Sequence, residues 1–215
     1  MIIYGSTLSP FVRKVVAICV EKELPFNLEF GALGNHSPGF IAASPLKKMP
    51  AIDDNGFMLA DSSAIAHYLD AQYPVPQLIP SDPQLRGKTI WFDEFADTVL
   101  MVCGGKMFFN RIVAPRFMGR EGDEAAADAA ECEELPPLLT YLEGLVPGPG
   151  GYLVGKSLTL ADISVASVFV NFRHAARSTD ESRHPRTFAY IDSILERPSF
   201  AESVRREQAM LAPAE

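Results

Sequence analysis

The chain opens Met1-Ile2-Ile3-Tyr4-Gly5-Ser6-Thr7-Leu8-Ser9-Pro10-Phe11-Val12-Arg13-Lys14-Val15, and two periodicities meet inside that stretch. Met1 to Tyr4 reads as a short buried strand that stops at Gly5. From Pro10 onward Val12, Val15, Val16, Cys19 and Val20 recur at i, i+3, i+4, i+7 and i+8, the stripe of an amphipathic helix. Pro10 stands in the first turn, where a helix tolerates a residue without an N–H. The helix ends before Pro25, and Phe26 to Phe30 alternates apolar and polar residues like a strand. Ala51 to Asp53 and Phe57 to Ala60 flank Asp54-Asn55-Gly56, a tight-hairpin signal. Asp61 then opens a helix with Ile65, Tyr68 and Leu69 on one face. The expected order is β-α-β, a short irregular or helical stretch, then β-β-α.

Beyond Tyr73 the character changes. Pro74, Pro76, Pro80 and Pro83 fall within ten residues, which marks a stiff linker and a domain boundary. The expected organisation is a first domain over 1–76, a linker over 77–83 and an all-helical second domain over 84–215. Leu85 to Arg111 carries Trp91, Phe95 and Leu100, and Asp123 to Leu145 is rich in Ala, Glu and Leu. Pro136-Pro137 should bend or break the latter. Pro147 to Gly151 is a loop, and Pro185 and Pro198 stand near the starts of the last two helices.

Composition narrows the function classes. With 215 residues, 47% of them apolar and 21% charged, the chain can bury a substantial core. A net charge of −8 argues against nucleic-acid binding, which needs clustered Lys and Arg. No run approaches a membrane span of ~18 apolar residues, and no basic n-region precedes the first strand, so neither membrane insertion nor a signal peptide is expected. Cys19, Cys103 and Cys132 are odd in number and far apart, which suits free thiols in a reducing cytoplasm. No Cys or His pair has metal-ligand spacing, so no metal is expected.

Three local motifs carry chemistry. In the first, Tyr4 to Val15, a strand, a tight turn and a helix start place hydroxyls near a helix N-terminus, a place to stabilise an anion. Taken alone, Ser9 reads first as a plain N-cap. The second is Ser44-Pro45-Leu46-Lys47-Lys48-Met49-Pro50-Ala51-Ile52, where proline before a strand can be turn punctuation and the lysines can be solvated. The third is Ala60-Asp61-Ser62-Ser63-Ala64-Ile65, by itself a helix start with an acidic residue.

The order and spacing of the three together resemble the cytosolic glutathione transferases, in a serine-type, bacterial-like form. The resemblance covers essentially the whole chain and includes the helix start Leu158-Thr159-Leu160-Ala161-Asp162-Ile163, which has the form of a capping box with a hydrophobic staple. It also includes Arg197-Pro198-Ser199-Phe200 at the last helix. It implies an α/β thioredoxin-like N-terminal domain (βαβαββα) followed by an all-α bundle. It further implies that Ser9 is the catalytic hydroxyl, with Ser6 and Tyr4 as successive alternatives, and that the Met49–Pro50 bond is cis. Met49 would offer its main chain to the cysteinyl part of glutathione. Ser62 would take the γ-glutamyl carboxylate and Asp61 would face the ammonium. Lys48 would meet the glycyl carboxylate, with Asn35 or His36 assisting, and Phe11 and Pro50 would complete the contact set. Thr159 and Asp162 have a folding role in that family.

The implied activity is that of an enzyme joining glutathione, as co-substrate, to a small hydrophobic electrophile. The electrophile pocket would lie between the domains, with Trp91, Phe95, Met107, Phe108, Phe109 and Phe172 among its candidate lining. Ser9-Pro10-Phe11-Val12 stands where a thioredoxin-type C-x-x-C would be but holds no cysteine, which excludes dithiol exchange. Glutathione-dependent isomerisation, dehalogenation or peroxide reduction are variants of the same site. A binding protein that carries the fold without turnover is the alternative from another class. The resemblance also implies a homodimer.

Overall fold

The computed structural model describes residues 1–30, 37–148 and 150–212. It divides into two compact units, Met1–Pro80 together with the stretch from Arg197 on, and Ser81–Glu196.

The first unit is built on a four-stranded sheet of β1 (Ile2–Tyr4), β2 (Asn27–Glu29), β3 (Ala51–Asp54) and β4 (Phe57–Ala60), in the order β2-β1-β3-β4. β1 runs parallel to β2 and antiparallel to β3. β3 and β4 form the expected hairpin, with Asn55 at φ 54° and Gly56 at φ 93°. Both central residues at positive φ match the twist of the flanking strands, which is why Asn-Gly is favoured there. Helices α1 (Pro10–Glu21), α2 (Pro38–Ala43) and α3 (Ser62–Gln72) complete the thioredoxin-like unit.

The proline-rich stretch is fastened as well as stiff. Asp70 of α3 accepts the N–H groups of Leu78 at 2.8 Å and Ile79 at 3.1 Å. Lys22, just past α1, donates to Asp70 and to the carbonyls of Tyr73 and Pro76. Leu78 and Ile79 are each 2% exposed, so they belong to the core of this unit.

The second unit is helical. α4 (Pro83–Glu94), a π-helical segment Phe95–Leu100, α5 (Met101–Phe108), a second π segment Phe109–Val113 and α6 (Ala114–Phe117) follow one another without a break. So do α7 (Glu124–Ala129), a π segment Ala130–Glu134 and α8 (Leu135–Glu143). Pro136-Pro137 therefore does not end the helical path. The wider π turn stands immediately before these prolines, and another stands before Pro115, at the places where an N–H is missing. α9 (Leu160–Ala175) is buried along nearly its whole length and is followed by a 3₁₀ turn, Glu181–Arg183, and by α10 (Pro185–Leu195). At its start Asp162, fully buried, accepts the N–H and hydroxyl of Thr159, completing the capping box. The same carboxylate accepts the N–H of Leu153 and the hydroxyl of Tyr190.

The last helix, α11 (Pro198–Leu211), lies with the first unit, whereas the sequence reading grouped it with the helices before it. The reason is α1. That helix buries Arg13 and Lys14 as well as its valine stripe, because α3 and α11 pack against faces the periodicity would leave to solvent. Arg13 and Glu207 of α11 meet there as a fully buried ion pair. No helix among the described residues is long and apolar enough to cross a membrane.

Candidate functional site

The strand register brings the three sequence motifs to one end of the sheet. Tyr4 pairs with Ala51, and Ala51 pairs with Ala60. The next residue outward on each strand is then Gly5, Pro50 and Asp61, and paired strand positions lie only ~4.5–5.5 Å apart. Gly5, at φ +145°, lets the turn approach closely: a Cβ there would lie 2.5 Å from Val12 Cγ2 and 3.3 Å from Met49 Cβ.

Ser9 occupies the N-cap of α1 with extended backbone, φ −80° and ψ 123°, yet its side chain makes no capping hydrogen bond. The backbone does the local work: Ser9 N–H donates to Ser6 O at 2.9 Å, and Ser9 O accepts from Arg13 N–H at 3.0 Å. Ser9 is a partly exposed residue at the positive end of a 12-residue helix, with its hydroxyl not engaged in the cap. The two alternatives differ from it. Ser6 Oγ accepts the N–H of Leu8 at 3.4 Å. Tyr4, 4% exposed, packs in a core cluster with Phe40, Ala43 and Ala51. Its hydroxyl lies so close to α2 that a Cβ on Gly39 would stand 2.5 Å away. Burial, then the charges of Glu29 and Asp53, push the phenol's pKa up and keep it neutral. Phe11, in the first turn of α1, is partly buried.

The Met49–Pro50 bond is cis. The loop before it is held by Ser44, whose Oγ donates to Lys48 O at 2.7 Å and accepts Lys48 N–H at 3.1 Å. Lys47 takes a left-handed conformation, φ 57°, inside that loop. The backbone of Lys48 is therefore fixed while its side chain stands in solvent. Asn35 and His36 lie outside the described residues.

Asp61 caps α3 from a left-handed conformation, φ 81°. Such a backbone costs roughly 1–3 kcal/mol in a residue other than glycine and clusters at functional sites. Its Oδ1 accepts the N–H groups of Ser63 and Ala64, each at 3.0 Å, and Oδ2 remains as a second acceptor. Ser62 beside it is 4% exposed. Lys14 of α1, 1% exposed, reaches Ser63 Oγ at 3.4 Å, which puts a buried ammonium under the N-terminus of α3.

The sequence reading did not single out Ser44, Arg13 or Lys14. A serine four residues before a backbone group it bonds is a recognisable local pattern, so Ser44 left a signal. Arg13 and Lys14 left none, because their partners come from elements distant in sequence.

The thiols take no part in this arrangement: burial pushes Cys19 and Cys103 up to about 12, and only Cys132 is exposed. Within the second unit, Met107, Phe108 and Phe172 are core residues, 0%, 6% and 4% exposed, and Phe95 is 4% exposed. Trp91 at 51% and Phe109 at 39% are the exposed members of the expected lining set. Among the described residues no group of three or more His, Cys, Asp or Glu could hold a metal ion.

Comparison with known proteins agrees with this architecture. Residues 3–77 match the family model for the glutathione S-transferase N-terminal domain, and residues 108–204 match that for the glutathione S-transferase C-terminal domain. A glutathione S-transferase of Hyoscyamus muticus is 29% identical over 97% of this chain and 99% of its own length. Glutathione S-transferase theta-1 of Homo sapiens is 32% identical over 75% of this chain and 68% of its own. Among solved structures, glutathione S-transferase III in its apo form is 27% identical, covers 100% of this chain and 98% of its own, and superposes with a TM-score of 0.81. With both domain models matched in order on a thioredoxin-like sheet and a helical unit, this chain belongs to the glutathione S-transferase family.

Proposed function

We propose that the protein binds glutathione at this end of the sheet, lowers the pKa of its thiol through Ser9, and transfers it to a hydrophobic electrophile. The observation that carries the reading is the Ser9 hydroxyl: it sits at the N-terminus of α1 but is not used as a cap. The family membership and the names of the relatives support the activity, and the shared row of Tyr4, Ala51 and Ala60 supports the site.

In this reading each end of the tripeptide has a partner. The N-terminus of α3 at Ser62 takes the γ-glutamyl carboxylate, and Asp61 Oδ2 takes the ammonium. Met49 contributes its main-chain groups to the cysteinyl unit, and Lys48 pairs with the glycyl carboxylate. A free thiol titrates near 8.5, and lowering that by about two units needs roughly 2.7 kcal/mol of preference for the thiolate. One hydrogen bond to the charged sulfur gives ~1.5–3 kcal/mol, and the helix N-terminus adds ~0.3–1. Ser9 therefore need not ionise; it donates. The uncapped hydroxyl favours Ser9 over Ser6 and Tyr4.

Retention on immobilised glutathione and a thermal shift in millimolar glutathione test the site. Retention with stabilisation is the expected result. Neither retention nor a shift would contradict both the enzymatic and the non-catalytic binding reading.

A further inference from the structure

Two buried or half-buried forks join α1 to α11, one at each end of α1. At the start, Arg13 Nε donates to Glu207 Oε1 at 3.0 Å and Arg13 Nη2 to Glu207 Oε2 at 2.6 Å, both side chains being fully buried. At the far end, Glu21 accepts from Arg197 Nε at 2.8 Å, Arg197 Nη2 at 2.7 Å and Ser199 Oγ at 2.6 Å. Burial alone would raise the pKa of the Glu21 carboxyl, but these donors outweigh it and hold it low. A bidentate guanidinium–carboxylate contact is planar and directional, so each fork fixes an angle as well as a distance. Two of them, at opposite ends, fix both the rotation of α1 about its axis and its position along it.

At the start of α1 the local cap is made by the backbone and not by a side chain. Pro10 has no N–H, and Ser9 contributes no side-chain cap. The Ser9 backbone is tied to the helix through the N–H of Arg13, the residue whose side chain forms the first fork. We propose that α11 is a clamp on α1 and that Glu207 is a positioning residue for the Ser9 hydroxyl, acting through Arg13. The inference rests on the glutathione-binding reading above and deepens it. Apolar residues of similar volume can replace a buried ion pair without loss of the fold, whereas removing one partner leaves a buried charge uncompensated. The clamp is mechanical: what matters is that α1 is held in one register.

The test is a pH titration of the thiolate absorbance of glutathione bound to the full-length protein, without electrophile, alongside thermal unfolding. Wild type, Glu207→Gln and the double variant Arg13→Met/Glu207→Leu are compared. Glu207→Gln is expected to raise the pH midpoint of the bound thiol by about one unit, roughly a tenfold loss of thiolate on the acid side. The double variant, with an apolar contact in place of the pair, is expected to restore the wild-type midpoint. A Glu207→Gln protein that loses only thermal stability and keeps the wild-type midpoint overturns the clamp. So does a well-folded double variant whose midpoint stays raised, and this arm remains decisive if Glu207→Gln fails to fold. A wild type that binds glutathione without any thiolate signal instead contradicts the proposed role of Ser9, and so separates the two claims.

Discussion

Lys22 Nζ lies 2.8 Å from Asp70 Oδ1, and this buried pair joins the residue just past α1 to the body of α3. Through the same two side chains the chain from Tyr73 to Ile79 is tied back onto the first unit. Asp70→Ala would remove the counter-charge of the Lys22 ammonium, which keeps only the Tyr73 and Pro76 carbonyls, and the acceptor of the Leu78 and Ile79 N–H groups. Removing one partner of a buried pair costs about 3–5 kcal/mol. The expected outcome is a loss of that size in denaturant unfolding, and a loss below about 1 kcal/mol would show that the pair is dispensable.

Glu131 gives the helical unit a pH dependence. Burial alone would raise its carboxyl, but Arg111, the N–H groups of Ser178 and Arg177 and the hydroxyl of Thr179 hold it at about 2, against an ordinary 4.5. A depressed carboxylate stabilises the fold at pH values above its unfolded pKa, and that contribution is lost as pH falls through the folded one. Thermal stability of the wild type should therefore decline between about pH 4.5 and 2, and Glu131→Gln, lower at neutral pH, should decline less over that window. Parallel profiles would contradict the assignment.

Ser44 tests the preparation of the Lys48 loop. Its hydroxyl holds Lys48 N–H and C=O together, so Ser44→Ala frees a loop that carries proposed glutathione contacts. Losing about 1.4 kcal/mol of that preorganisation corresponds to a tenfold weaker Kd. Calorimetric titration with glutathione should show a rise of about that size, with stability reduced by no more than ~1–3 kcal/mol. An unchanged Kd would mean the loop does not meet the ligand.

β4 is the last strand in the order of the sheet, and its Phe57 and Met58 are 48% and 42% exposed. Unprotected apolar edge strands are surfaces that pair or are covered. Family membership makes a homodimer the expected assembly, and sedimentation equilibrium should return twice the chain's mass at micromolar concentration. A monomer across the concentration range would contradict it.

The first unit was legible wherever the signal was local. Asn55-Gly56, the Pro10 helix start and the Asp61 helix start each announced themselves within a few residues, and the structure has all three. Thr159 and Asp162 did the same for α9. The burial of Arg13 and Lys14 was not legible, since periodicity reports one buried face and α1 has more than one. The position of α11 was hidden for the same reason, because nothing near Glu207 names Arg13 as its partner, 194 residues away. The helical path across Pro136-Pro137 was missed because a π turn has no sequence signature comparable to a cap. For Ser9 the local signal alone suggested a cap and its spacing with Pro50 and Asp61-Ser62 suggested a donor; in the structure its side chain makes no capping bond.

The most direct measurement is the rate at which Ser9→Ala conjugates glutathione to a generic aryl halide, compared with wild type, Ser6→Ala and Tyr4→Phe at equal glutathione saturation. Removing a single preorganised donor to a developing or stabilised anion costs about 10²-fold or more. A loss of that order for Ser9→Ala, with Ser6→Ala and Tyr4→Phe close to wild type, is the result expected if the Ser9 hydroxyl holds the thiolate. An unchanged rate for Ser9→Ala would contradict it and move the role to Ser6 or Tyr4.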